Sequence, residues 1–170
     1  MISDQWVLTA AHCVENNEKG LVDRVTVELG QHHTYTRAII SSYAQVFIHP
    51  RYTKNTKEYD LALLKLAAPV DFNSVPHVRP VCLPSNRDER FEGLRATVAG
   101  WGHTSVDGRS SNVPLKTDVY VISNSECKHQ YSALIKDDMI CTMSPKNGAK
   151  YHGSCRGDSG YLTINHLSAF

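Results

Sequence analysis

The chain has 170 residues, 41% hydrophobic and 21% charged, which is material for a buried core and unlike a disordered or fibrous chain. Its 18 basic and 17 acidic residues leave a net charge of +1, so no basic surplus points to a DNA or RNA partner. No apolar run approaches the roughly 20 residues of a membrane-spanning helix, and no metal or other cofactor is expected.

In chain order, the first residues do not read as a secretory leader: Asp4 and Gln5 precede an apolar stretch, residues 6–11, too short for one. Val25, Val27 and Leu29 alternate with Thr26 and Glu28, the period of a half-buried strand, and Gly30 closes it. Val46, Phe47 and Ile48 form a second strand stopped at Pro50. The apolar run 61–66, ended by Pro69, leaves helix or strand open by periodicity, and its shortness favours strand. Pro76, Pro80 and Pro84 mark a connector between two halves, residues 1–80 and 81–170. Residues 95–102 read as a strand ending in glycines, and residues 107–114 as a surface loop. One short helix is expected over 124–131, with Ser123 as its cap and Glu126 completing a capping box. Many short strands between turns argue for an all-β chain, sandwich or barrel.

Three features carry chemistry. Thr9-Ala10-Ala11-His12-Cys13 sets a histidine among small residues beside a cysteine. Asp60 stands at the head of the 61–66 run, where a buried carboxylate needs a partner. Gly157-Asp158-Ser159-Gly160 puts a serine in a glycine-flanked turn whose backbone amides could converge on one oxygen. Each also fits a plain role as a surface histidine, a turn aspartate or a loop, and sequence separation alone does not join them. Five cysteines, Cys13, Cys82, Cys127, Cys141 and Cys155, are spread without a CxxC pair. That usage suggests an oxidising compartment, and the odd count leaves at least one without a partner in the chain.

Three segments resemble, in order, the His, Asp and Ser signatures of the chymotrypsin/trypsin family of serine proteases: Trp6-Val7-Leu8-Thr9-Ala10-Ala11-His12-Cys13, Tyr59-Asp60-Leu61-Ala62-Leu63-Leu64 and Gly157-Asp158-Ser159-Gly160. Arg79-Pro80-Val81-Cys82-Leu83-Pro84 and Val98-Ala99-Gly100-Trp101-Gly102 resemble two further landmarks, and the likeness runs to about Gly160. The resemblance implies a double six-stranded antiparallel β-barrel, incomplete here at both termini, and a secreted, extracellular serine endopeptidase acting on polypeptides. In it His12 is general base and then acid, Asp60 orients His12, and Ser159 attacks the scissile carbonyl to form an acyl-enzyme. The amides of Gly157 and Ser159 form the oxyanion hole, Gly153 lies at the base of the specificity pocket, and Cys127 pairs with Cys141. Cys13, Cys82 and Cys155 match cysteines whose partners lie elsewhere, and Cys82 in this family often joins a preceding segment. Protein protease inhibitors are further expected partners.

The departures matter as well. In the family a new N-terminal ammonium, made by activation cleavage, pairs with the carboxylate before the nucleophile, here Asp158. The matched region starts after that point, so Asp158 is expected to lack its usual partner. Beyond Gly160 the chain leaves the family pattern, where the pocket strands would follow, and little or no hydrolysis is expected from these 170 residues alone. With Gly153 rather than a carboxylate at the pocket base, the parent is expected to favour apolar or aromatic substrate side chains. Arg156 would sit near the pocket rim or simply in solvent. The alternative function is a non-catalytic homologue serving as a binding or regulatory module.

Overall fold

In the computed structural model the described residues are 1–16, 20–21, 24–86, 91–131, 134–145, 153–160 and 163–165. They fall into two compact units, Met1–Leu83 with Asn112–Pro114, and Pro84–Ser111 with Leu115–Phe170. The boundary between Leu83 and Pro84 lies inside the proline-bearing stretch.

The first unit holds β1 (Trp6–Thr9), α1 (Ala11–Val14), β2 (Glu15–Asn16), β3 (Gly20–Leu21), β4 (Val25–Leu29), β5 (Ile40–Ile48) and β6 (Ala62–Leu66). Four of these strands form an antiparallel sheet in the order β1-β6-β5-β4, and β2 pairs with β3. The ambiguous run 61–66 is thus a strand, placed in the interior of its sheet between β1 and β5. Alternate residues Ala62, Leu64 and Leu66 are buried while Lys65 faces out, a period of two that the mostly apolar composition had hidden. Strand β5 is longer than its apolar end suggests. Its first half alternates through Ser41, Ser42 and Tyr43, and the ladder to β4 supplies what those residues lack in hydrophobicity. Gly30 turns the chain at a φ of 73°, where a Cβ would come within 2.6 Å of Ile39 Cδ1.

Two apolar clusters fill this unit. Ala11, Val14, Ala62 and Leu64 form one, and Leu66, Val70, Val75 and Val78 form the other. The first of them ties α1 to β6, which is what positions the site described below.

The second unit holds β7 (Arg95–Gly100), β8 (Leu115–Ile122), α2 (Asn124–Tyr131), β9 (Cys141–Met143) and β10 (Thr163–Asn165). The strands form an antiparallel sheet in the order β10-β7-β8-β9. Its core is smaller, with Ala96, Val119 and Val121 buried and Phe91 and Val98 packed against them. Helix α2 begins where the capping pattern places it, with Ser123 Oγ accepting the Glu126 N–H at 3.1 Å. The Cys127–Cys141 disulfide joins this helix to β9 across a separation of 14 residues. No helix among the described residues is long and apolar enough to cross a membrane.

Candidate active site

The register of β1 on β6 brings the first two candidate residues together. Thr9 pairs with Ala62, so the chain leaving β1 runs beside the chain entering β6. His12 lies three residues after Thr9, and Asp60 two before Ala62. His12 is carried on α1, a helix of four residues that no periodic signal could have announced. Ala11 is fully buried and Val14 nearly so, three positions apart and therefore on one face of the turn. His12 and Cys13, between them, are turned away from that anchored face. The small side chain of Ala11 lets the turn sit directly on β6.

Asp60 uses both carboxylate oxygens on His12. Oδ2 lies 2.6 Å from His12 Nδ1, and Oδ1 accepts the His12 backbone N–H at 2.9 Å. The two bonds fix ring and backbone against one planar group. With Nδ1–H donated to a carboxylate, the neutral ring keeps Nε2 as its acceptor, the arrangement a general base needs. The pair is part-buried, with side-chain exposures of 34% for His12 and 22% for Asp60, so water reaches the ring but does not surround it. His12 Nε2 lies 3.6 Å from Cys13 Sγ. Burial raises the Cys13 thiol above its usual range, and the Asp60 charge acts in the same sense.

Asp60 itself sits in a tight turn. The Leu61 N–H bonds back to the Tyr59 carbonyl at 2.7 Å, and Tyr59 takes a positive φ of 53°. The flank of this turn is charged. Tyr52 Oη donates to Glu15 at 3.2 Å and accepts from Lys57 Nζ at 3.1 Å, and Lys54 pairs with Glu15 at 3.1 Å. The Tyr52 bond is the main cause holding the Lys57 ammonium protonated above its usual range.

Ser159 belongs to the second unit, as do Gly153, Gly157 and Asp158. Ser159 is exposed, between glycines at φ values of 94° for Gly157 and 84° for Gly160. These are backbone conformations that side chains rarely tolerate, and a Cβ on Gly157 would also press to 3.3 Å from Gly102 Cα. Asp158 organises the loop. Its Oδ1 accepts the Gly102 N–H at 2.8 Å, its Oδ2 accepts the Cys155 N–H at 2.9 Å, and its own N–H bonds to the Cys155 carbonyl at 3.0 Å. The His103 N–H adds a bond to the Arg156 carbonyl at 2.8 Å. The segment after β7 and the serine loop are therefore laced together within one unit.

The carboxylate expected to want a partner thus has two, both backbone amides. Gly102 is needed for this, because a Cβ there would lie 2.5 Å from the Asp158 carboxyl carbon. Sequence reading missed that contact, since its donor is a backbone N–H and its mark in residue identity is a single glycine, Gly102. Gly153 is exposed, and a Cβ added to it would meet nothing within 4 Å. It lines, with Gly102, His103, Cys155 and Asp158, a cavity of 440 Å³. Cys127 and Cys141 are bonded as expected, and Cys13, Cys82 and Cys155 carry free thiols. Among the described residues no group of three or more His, Cys, Asp or Glu side chains is arranged to hold a metal ion.

A family model described as Trypsin matches residues 1–165. The serine proteinase stubble of Drosophila melanogaster is 35% identical over 170 residues, covering 94% of this chain and 20% of its own length. The venom serine protease Bi-VSP of Bombus ignitus is 35% identical over 167 residues, again 94% of this chain and 45% of its own. Ovochymase-2 of Mus musculus is 34% identical, with 94% and 26% covered. The chain therefore spans less than half the length of each of these curated relatives. Among solved structures, an HL collagenase aligns with a TM-score of 0.81 and 28% identity, over 99% of this chain and 68% of that one.

Proposed function

The chain belongs to the trypsin family of serine proteases and shares its chymotrypsin-like, all-β fold, and we propose that the protein containing it is a secreted serine endopeptidase. The observation that carries this reading is the pair of hydrogen bonds between Asp60 and His12, with Nδ1 at 2.6 Å and the backbone N–H at 2.9 Å. A carboxylate that grips ring and backbone together selects one tautomer and stabilises the imidazolium that forms when the ring takes a proton.

In the proposed cycle His12 Nε2 removes the proton of Ser159 Oγ as that oxygen attacks the carbonyl carbon of the scissile peptide. The carbonyl electron pair moves onto oxygen, where the amides of Gly157 and Ser159 receive it. The electron pair returns, the C–N bond breaks, and His12 hands its proton to the leaving amine. Water then repeats the sequence on the acyl-enzyme ester, freeing Ser159. Asp60 stays ionised throughout.

Asp158 is the proposed activation carboxylate. In the 170 residues it is held by the amides of Gly102 and Cys155, and the adjoining cavity is the proposed seat for an arriving ammonium. Turnover by these residues alone is therefore expected to be slow, roughly 100-fold or more below the activated protein, the cost of one poorly placed oxyanion donor. With Gly153 rather than a carboxylate at the proposed pocket base, an apolar or aromatic substrate side chain is favoured.

Hydrolysis of a mixed peptide-ester library by the activated full-length protein tests the reading. Turnover that Ser159→Ala abolishes is expected. Turnover unchanged by that substitution, or none from the activated protein, would leave the binding-module alternative standing.

A further inference from the structure

Among the described residues only two that are not glycine adopt a positive φ, Lys57 at 57° and Tyr59 at 53°. For a bulky side chain this is an outlying conformation, and such outliers persist where their surroundings over-determine them. Tyr59 immediately precedes Asp60, so its backbone direction sets where the carboxylate points.

What over-determines it is a three-residue clamp. The Tyr59 ring stacks on the His49 ring at a centroid distance of 5.1 Å and an interplanar angle of 7°. The Arg51 guanidinium lies 4.1 Å from the centre of the same ring and donates to the Tyr59 hydroxyl. His49 also holds the other side of the turn, because its backbone N–H bonds to the Leu61 carbonyl at 2.9 Å. Its Nδ1 accepts the Arg51 N–H at 3.2 Å, which ties the two clamping residues to each other. Asp60 is thus bracketed by His49, through Tyr59 on one flank and Leu61 on the other.

We propose that Tyr59 is a positioning residue, whose ring, gripped by His49 and Arg51, holds the left-handed turn that aims the Asp60 carboxylate at His12. The role rests on the reading of Asp60 as the group that orients His12. The contribution of Tyr59 is to keep both Asp60 oxygens on His12.

Two readouts test it on the full-length protein: the low-field proton signal of the His12 Nδ1–H bonded to Asp60, in histidine-labelled protein, and the rate at which a fluorophosphonate labels Ser159. The signal is expected in the parent and in Tyr59→Phe, which keeps the stacked ring. It is expected to vanish in Tyr59→Ala and in Tyr59→Gly, with labelling slowed roughly 100-fold, the effect of an ångström-scale misplacement. The glycine variant separates ring from backbone, since glycine takes a positive φ freely. A signal and labelling rate retained in Tyr59→Gly would overturn the proposal, showing that the turn needs no clamp. If Tyr59→Ala loses its folded spectrum, Arg51→Met carries the decision, with loss of the signal expected and its retention contrary. Asp60→Asn must lose the signal in any case. A parent protein without the signal would sink the reading of Asp60 and the role of Tyr59 together, whereas a signal lost only in Asp60→Asn would sink Tyr59 alone.

Discussion

The two units hold their chemistry by different means. In the first, side chains grip one another: Asp60 holds His12 twice, Ala11 and Val14 anchor the helical turn on β6, and Tyr59 is pinned by His49 and Arg51. In the second, a single carboxylate gathers backbone amides, and left-handed glycines shape the loop around Ser159. The first unit rests on two buried clusters, the second on one smaller cluster and a disulfide. An acid–base pair needs fixed ring geometry, which packing supplies.

If that contrast is sound, the largest selective effect comes from the disulfide. Replacing Cys127 and Cys141 by serine opens a loop with a separation of 14 residues and should cost about 3 kcal/mol by loop entropy. The loss should fall on the second unit, read as faster hydrogen exchange at Val119 and Val121 with Leu64 unchanged. Equal acceleration at Leu64 would break the comparison by showing one cooperative body. A smaller effect is expected for Asp158→Asn. A carboxamide offers one acceptor oxygen where the carboxylate offers two, so one of the hydrogen bonds from the Gly102 and Cys155 amides is lost and the other no longer ends on a charge, at a cost of roughly 1–2 kcal/mol. Exchange at the Gly102 and Cys155 amides should quicken while His12 and Asp60 keep their bond. Loss of the His12 Nδ1 proton signal in that variant would contradict the separation of roles.

Much of this was legible in the residues. The alternation of Val25, Val27 and Leu29 named β4, and Ser123 with Glu126 placed the start of α2. The signature segments around His12, Asp60 and Ser159 pointed to the family, which the comparisons establish. Other parts were not legible, for physical reasons. A helix of four residues at Ala11–Val14 is too short to show a period. The grip of Asp158 on Gly102 uses a backbone donor that every residue but proline carries. His49, Arg51 and Tyr59 are ordinary loop residues until a turn brings them into one stack. The loop around Ser159 was read from motif alone, because a glycine-flanked turn specifies its backbone path only once the residues it packs on are known.

We propose that the Asp60–His12 pair activates Ser159. Fluorophosphonate labelling of the activated full-length protein, compared with His12→Ala and Asp60→Asn, tests it most directly. Labelling confined to Ser159 is predicted, slowed roughly 10⁴-fold in either variant, because each removes or misdirects the base. Labelling of Ser159 at the same rate in all three proteins would contradict it.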